Sequence, residues 1–205
     1  MTIISVETGT EGDLRRVGLS DGSFFSLRTC YLPSALADAC EGFELGPGDE
    51  EALCFASACL GAEKTALRLV ARAEQATFGL GRKLERRGHD SASAGAAVSR
   101  LCELGLVDDG RYARLWLESR LCRASSPARL LASLRAKGIG REDAQSALSD
   151  ALDEEAELRL LGMFARKRLR GGGAGDGGRA LKYALKSEGF SSSAIEIFFD
   201  EQERA

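Results

Sequence analysis

The sequence predicts a mainly α protein, with three tandem three-helix repeats in an elongated array behind a small N-terminal β-meander. Three observations carry this prediction. The pattern Leu-x-x-x-Leu-x-x-x-Gly recurs three times, helical periodicity runs from about residue 49 onward, and β-favouring runs flank an Asp-Gly pair near the start. The expected division is an acidic β-containing extension over 1–60, then repeats over 61–109, 110–154 and 155–205.

The meander comes first. Residues 2–7 and 14–19 favour strand, and Asp21-Gly22 leads into Phe24-Phe25-Ser26-Leu27. An Asp-Gly pair between such runs signals a hairpin of type I′, whose two central residues need positive φ. Pro33 and Gly46-Pro47-Gly48 close the region, with a short helix expected over 33–45.

In the repeats, Leu80, Leu84 and Gly88 correspond to Leu130, Leu134 and Gly138, and to Leu181, Leu185 and Gly189. Ala94, Ala144 and Ile195 follow six residues after each glycine, and Val98, Leu148 and Phe199 ten residues after. Leucines at i and i+4 share one helical face, which needs a partner. The glycine suits the left-handed position past a helix C-terminus. Capping-type residues then start a further helix at Asp90-Ser91, Gly140-Arg141-Glu142 and Ser191-Ser192. A preceding helix is expected at roughly 63–75, 110–123 and 155–170, making each unit a three-helix bundle. Residues 171–178 hold six glycines in eight positions and read as a linker.

Several kinds of chemistry are disfavoured. The six cysteines form no C-x-x-C pair and read as small buried hydrophobes, and His89 alone offers an imidazole. No nucleophile–base set or phosphate-binding loop is visible, so neither an enzyme nor a cofactor or metal is expected. Asp108-Asp109 reads as a helix N-cap rather than a metal site. The stretch 52–62 falls well short of the roughly 20 apolar residues that span a bilayer. The start lacks a signal-peptide pattern, so a cytoplasmic location without membrane contact is expected.

Net charge is −3, but its distribution is uneven. Residues 1–60 carry three bases and ten acids, residues 64–141 sixteen and seven, residues 142–157 none and seven, and residues 158–186 eight and one. Basic blocks between acidic ones suit a surface that follows a polyanion. On the helix of the first Leu pair, Arg82, Lys83, Arg86 and Arg87 fall opposite Leu80 and Leu84. The middle unit adds Arg111, Arg114, Arg120, Arg129, Arg135 and Lys137, and Arg166, Lys167, Arg168 and Arg170 form a third cluster. Tyr112, Leu115, Trp116 and Ser119 follow helical spacing, and Tyr112 and Trp116 are assigned to the core in preference to a base-stacking platform, with Arg111 and Arg114 turned away from that face.

The run Leu104-Gly105-Leu106-Val107-Asp108-Asp109-Gly110-Arg111-Tyr112-Ala113-Arg114-Leu115-Trp116-Leu117-Glu118-Ser119-Arg120 resembles the signature of the RecX family. Gly79-Leu80-Gly81-Arg82-Lys83-Leu84-Glu85-Arg86-Arg87-Gly88 is similar to that family's first-repeat segment, with Gly79 where an acid is usual. Leu134-Arg135-Ala136-Lys137-Gly138-Ile139 and Gly189-Phe190 match the later repeats, and the resemblance spans 63–205. It implies a regulator of the RecA recombinase, acting in homologous recombination, DNA repair and the SOS response. Such a regulator lies in the groove of the RecA filament or acts at its growing end, and suppresses ATP hydrolysis, strand exchange and coprotease activity. Expected partners are the RecA filament and DNA, single-stranded and also double-stranded, bound weakly and salt-dependently by a monomer. The competing reading is a transcriptional regulator using one unit as a helix-turn-helix, which would bind a specific duplex sequence.

Overall fold

A computed structural model describes residues 1–10, 12–170 and 177–204, excluding the side chains of residues 169, 170, 177 and 204. It is mainly helical with one small antiparallel sheet. The chain divides into two compact units, Met1–Val107 and Asp108–Ala205, and each is described by itself.

In the first unit, β1 (Ile3–Thr8), β2 (Leu14–Leu19) and β3 (Phe24–Arg28) pair in chain order. Asp21-Gly22 does turn the hairpin, but not as a type I′ pair. The Gly22 N–H donates to the Leu19 carbonyl at 3.0 Å, so Ser20 and Asp21 occupy the turn centre and Gly22, at φ 88°, takes the left-handed position after it. The Asp21 carboxylate accepts from the Ser23 N–H at 2.9 Å and hydroxyl at 2.7 Å, which favours this longer loop. The helix expected over 33–45 shrinks to α1 (Ser34–Ala37). Beyond it the chain turns to pair with the start of β1, where the Ile3 N–H donates to the Phe43 carbonyl at 2.9 Å.

Helix α2 (Asp49–Val70) starts earlier than the expected 63–75, and the boundary placed at residue 60 falls inside it. Its N-terminal half carries Leu53 and Ala56 into a core with Ile3, Val17, Leu19 and Leu27 of the sheet. Farther along, Ala66 packs with Leu80 and Leu84 of α3 (Thr77–Glu85) and with Ala94 and Leu101 of α4 (Ser91–Glu103). A continuous buried stripe lets one helix close the sheet and open the first bundle together.

The second unit holds α5 (Asp109–Glu118), α6 (Pro127–Ala136) and α7 (Arg141–Ala151), then α8 (Glu154–Arg170), α9 (Gly177–Ser187) and α10 (Ser192–Arg204). α7 packs against α5 and α6, and α8, α9 and α10 pack on one another, with Phe164 and Phe190 5.7 Å apart between ring centroids. Of the expected linker, residues 171–176 lie outside the described residues, while Gly177 and Gly178 begin α9.

The Leu/Gly repeat has one physical meaning in all three bundles. Gly88, Gly138 and Gly189 have φ of 91°, 87° and 87°. The N–H of the following residue reaches back to the second leucine of each pair: His89 to Leu84 at 3.3 Å, Ile139 to Leu134 at 3.2 Å, Phe190 to Leu185 at 3.3 Å. The glycine N–H bonds the residue after that leucine at 2.9, 2.9 and 3.1 Å. This pair of hydrogen bonds is a Schellman cap, which satisfies carbonyls the helix end leaves orphaned. Gly105 repeats it at the end of α4, with φ 68°.

Two expectations about burial are corrected. Cys59 is buried and Cys102 half-buried, but Cys30, Cys40, Cys54 and Cys122 are exposed, because they sit in turns or on outward helix faces. On α5 the buried residues are Ala113 and Leu117; Tyr112 and Trp116 only flank them, and Leu115 and Ser119 face solvent. The small Ala113 lets α7 approach closely, and that approach rather than side-chain size selects the inward face.

Candidate interaction faces

Of the acids at the expected helix starts, Asp90 and Asp108 cap, while Asp109 and Glu142 lie in the first turns of α5 and α7. The Asp108 carboxylate accepts the Arg111 N–H at 2.8 Å, which together with the Arg111 charge holds its pKa below the ordinary aspartate range. Asp90 is lowered likewise, by the Ser93 hydroxyl at 2.6 Å and the Ser93 N–H at 2.9 Å. His89 lies half-buried beside Thr65, its Nε2 3.0 Å from the hydroxyl oxygen. Among the described residues no group of His, Cys, Asp and Glu is arranged to hold a metal ion, and no helix is long and apolar enough to cross a membrane.

Helix α3 buries Leu80 and Leu84 completely and turns Arg82, Arg86 and Arg87 to solvent. Arg82 sits over the exposed Phe78 ring at 6.0 Å and 3.8 Å from Glu85. Arg86 and Arg87 each donate to a carbonyl of their own helix, at 3.2 and 3.0 Å, which orients them along the surface. Lys83 departs from the expected stripe. Its ammonium donates to the buried Gln75 amide oxygen at 2.6 Å, and the Gln75 amide in turn donates to the Ala73 carbonyl at 2.8 Å. Lys83 therefore braces the turn before α3.

In the second unit, Arg114, Arg129 and Arg135 are exposed, and Arg111 is half-buried. Arg120 and Lys137 converge on Trp116, 5.3 and 5.6 Å from its ring, so these two cations are partly occupied by an aromatic face. On α8, Arg166, Lys167 and Arg168 are exposed, while the Arg170 side chain lies outside the described residues. Arg166 borders a depression of about 490 Å³ that Leu121, Cys122, Ala156, Arg159 and Met163 also line.

The sequence reading missed one feature altogether. The Glu63 carboxylate, 3% exposed, accepts Arg28 at 2.8 Å and the Tyr31 hydroxyl at 2.8 Å and lies 3.4 Å from Arg100. Asp13 meets the same two arginines, at 2.6 and 2.8 Å. Burial and the bond to Glu63 push the Tyr31 phenol above its usual range. The signal was present: Glu63 stands on the buried Leu53, Ala56, Leu60, Ala66 face of α2, where a lone acid requires partners. The leucine pair placed α9, but not its Arg179, Lys182, Tyr183 and Lys186 as surface residues; all four are exposed, with Lys182 over the Phe199 ring at 4.6 Å.

Fold and surface together define a tandem three-helix repeat protein, preceded by a small sheet, that presents basic helix faces to solvent. Residues 108–148, which cover α5 and α6 and most of α7, match the family model described as "RecX, second three-helix domain". The chain is 37% identical over 156 residues to a "Regulatory protein RecX" of Treponema pallidum, covering 73% of this chain and 91% of that one. The chain belongs to the RecX family, whose curated members are named regulatory proteins. A second relative, from Halorhodospira halophila, is 36% identical over 135 residues, which is 63% of this chain and 81% of that one. Among solved structures, a "Crystal structure of regulatory protein RecX" superposes with a TM-score of 0.69 at 22% identity, over 97% of this chain and 98% of that one. RecX from Lactobacillus salivarius superposes with a TM-score of 0.60 at 19% identity, over 73% and 99%. Both share the fold.

Proposed function

We propose that this protein is a non-enzymatic negative regulator of the RecA recombinase, binding the RecA–DNA filament in its groove or at its growing end. Binding suppresses ATP hydrolysis, strand exchange and coprotease activity. The observation that carries the reading is a basic surface on α3 and the turn that ends it: Arg82, Arg86 and Arg87 stand in solvent while Leu80 and Leu84 are fully buried, within a chain whose relatives are RecX regulatory proteins. Cations on an already folded backbone add no backbone ordering cost on meeting a polyanion, so they suit a groove lined by phosphate and carboxylate. Arg114, Arg129, Arg135, Arg166, Lys167 and Arg168 supply further weak contacts, and several contacts on one chain raise avidity. Lys83 is assigned to the fold and not to the partner, because Gln75 holds it.

The test is titration of the protein into the DNA-dependent ATPase of the cognate RecA. Substoichiometric amounts should lower the rate, and the triple variant Arg82→Glu, Arg86→Glu, Arg87→Glu should need far more protein for the same effect at unchanged helicity. An ATPase untouched at large molar excess overturns the reading. Full inhibition by the triple variant would reduce the α3 face to a solvated surface.

A further inference from the structure

The three bundles can be compared position by position on their second helices, α3, α6 and α9, by superposing the leucine pairs. Two positions point outward, two residues before and two after the first leucine, and lie one helical turn apart on the same face. In α3 they hold Phe78 and Arg82; in α9 they hold Arg179 and Tyr183; in α6 both are alanine, Ala128 and Ala132. The first and third bundles thus carry the same pair, an aromatic and an arginine, in swapped order.

Both aromatics are unusually open. Phe78 is 54% exposed and Tyr183 80%, the highest value among the exposed large hydrophobic residues. Their surroundings are cationic. Tyr183 stands between Arg179 and Lys186 on a helix with no acid, and Phe78 shares α3 and its C-terminal turn with Arg82, Arg86 and Arg87 against the single acid Glu85. Gly79 and Gly81 beside Phe78 leave open space where side chains would stand. Another exposed aromatic, Phe24, also has an arginine over it, Arg16 at 4.4 Å, but it lies in the segment 1–60 with its excess of seven acids. A polyanion would be repelled there.

An exposed ring flanked by cations, repeated at equivalent positions, matches what a single-stranded nucleic acid requires. An unpaired base offers a π-face to the ring, and its phosphates meet the arginine or lysine one turn away. A duplex hides those faces, so this chemistry selects unpaired strands. We infer that the outward faces of α3 and α9 are two single-strand nucleic-acid stacking sites, centred on Phe78 with Arg82 and on Tyr183 with Arg179 and Lys186. The inference deepens the proposed function and rests on it only in that basic faces meet nucleic acid; RecA need not be present for it to be tested.

The experiment is fluorescence anisotropy of a labelled oligo-dT across a salt series with the full-length protein, without RecA. Phe78→Ala and Tyr183→Ala should each weaken binding about five- to a hundredfold, the range of one stacked base, while Tyr183→Phe keeps the wild-type affinity. Removing a ring removes no charge, so the salt slope should stay the same in these variants. Arg179→Gln should instead reduce the slope by about 0.7, one single-strand phosphate contact. Ala132→Tyr, with Arg129 and Arg135 three residues on either side, should build a third platform and tighten binding. Oligo-dT binding that is absent in the wild type, or indifferent to Phe78→Ala and Tyr183→Ala, overturns the inference. So does loss of RecA inhibition in those variants at unchanged oligo-dT affinity, which would make the faces protein contacts. Oligo-dT binding that holds while RecA inhibition fails leaves the stacking sites standing and overturns only the proposed function.

Discussion

Replacing Glu63 by alanine should loosen the first unit more than any surface change of similar size. The carboxylate accepts Tyr31 and Arg28 at 2.8 Å each and lies 3.4 Å from Arg100, joining the short turn Thr29–Tyr31, the end of β3 and helix α4 to α2. The Arg28 and Arg100 side chains are 13% and 20% exposed. Without Glu63 both guanidinium groups retain Asp13 as a shared carboxylate, and Asp13 at 31% exposed is well hydrated. Breaking a buried pair from one side costs about 3–5 kcal/mol, and the surviving Asp13 contacts place this case near the lower end, at about 3 kcal/mol. In native-state hydrogen exchange followed by mass spectrometry, the core amides of α2 and α4 should therefore exchange about a hundredfold faster. Glu63→Gln, which keeps an oxygen for Tyr31, should cost less. Exchange accelerated by less than about tenfold in Glu63→Ala would refute the view that this ion cluster ties the sheet to the first bundle.

The Schellman glycines allow an internally controlled comparison. Gly88→Ala and Gly189→Ala place a Cβ at φ 91° and 87° and should each cost about 1–2 kcal/mol in urea denaturation. Gly95→Ala, mid-helix in α4 with open space around it, should stabilise by about 1 kcal/mol; equal signs at all three would refute the cap assignment. Because the Tyr31 phenol is raised by burial and by Glu63, its contribution to stability is complete below about pH 10 and is lost as pH rises through the folded value. Ultraviolet difference titration should show it ionising only as the protein unfolds, in a phase that Tyr31→Phe abolishes. Burial also pushes the Cys59 thiol up to about 11, so iodoacetamide should alkylate exposed Cys122 long before Cys59, as peptide mass spectrometry can count.

The repeat, its helices and their caps were legible because each is a local matter. A leucine pair at i and i+4 chooses one helix face, and only glycine enters the left-handed turn without strain, so short-range spacing already contains the Schellman caps at Gly88, Gly138 and Gly189. Asp90 and Asp108 cap their helices through residues three positions away. The RecX-like motifs pointed to the family that the relatives define. Spacing could not decide what depends on a distant neighbour. Trp116 and Tyr112 have the period of a core face, yet the close approach of α7 buries Ala113 and Leu117 in their place. Lys83 belongs to a basic stripe by position, and becomes a brace because Gln75 is folded under it. Asp13 and Arg100 are 87 residues apart, and meet because the sheet and α4 both pack against α2. The amino-acid order set the helices, the caps and the sign of the surface charge through interactions spanning about one helical turn. Which cations remain open to a partner was settled by tertiary packing, since a charged side chain turns toward whichever buried acceptor the fold brings within reach.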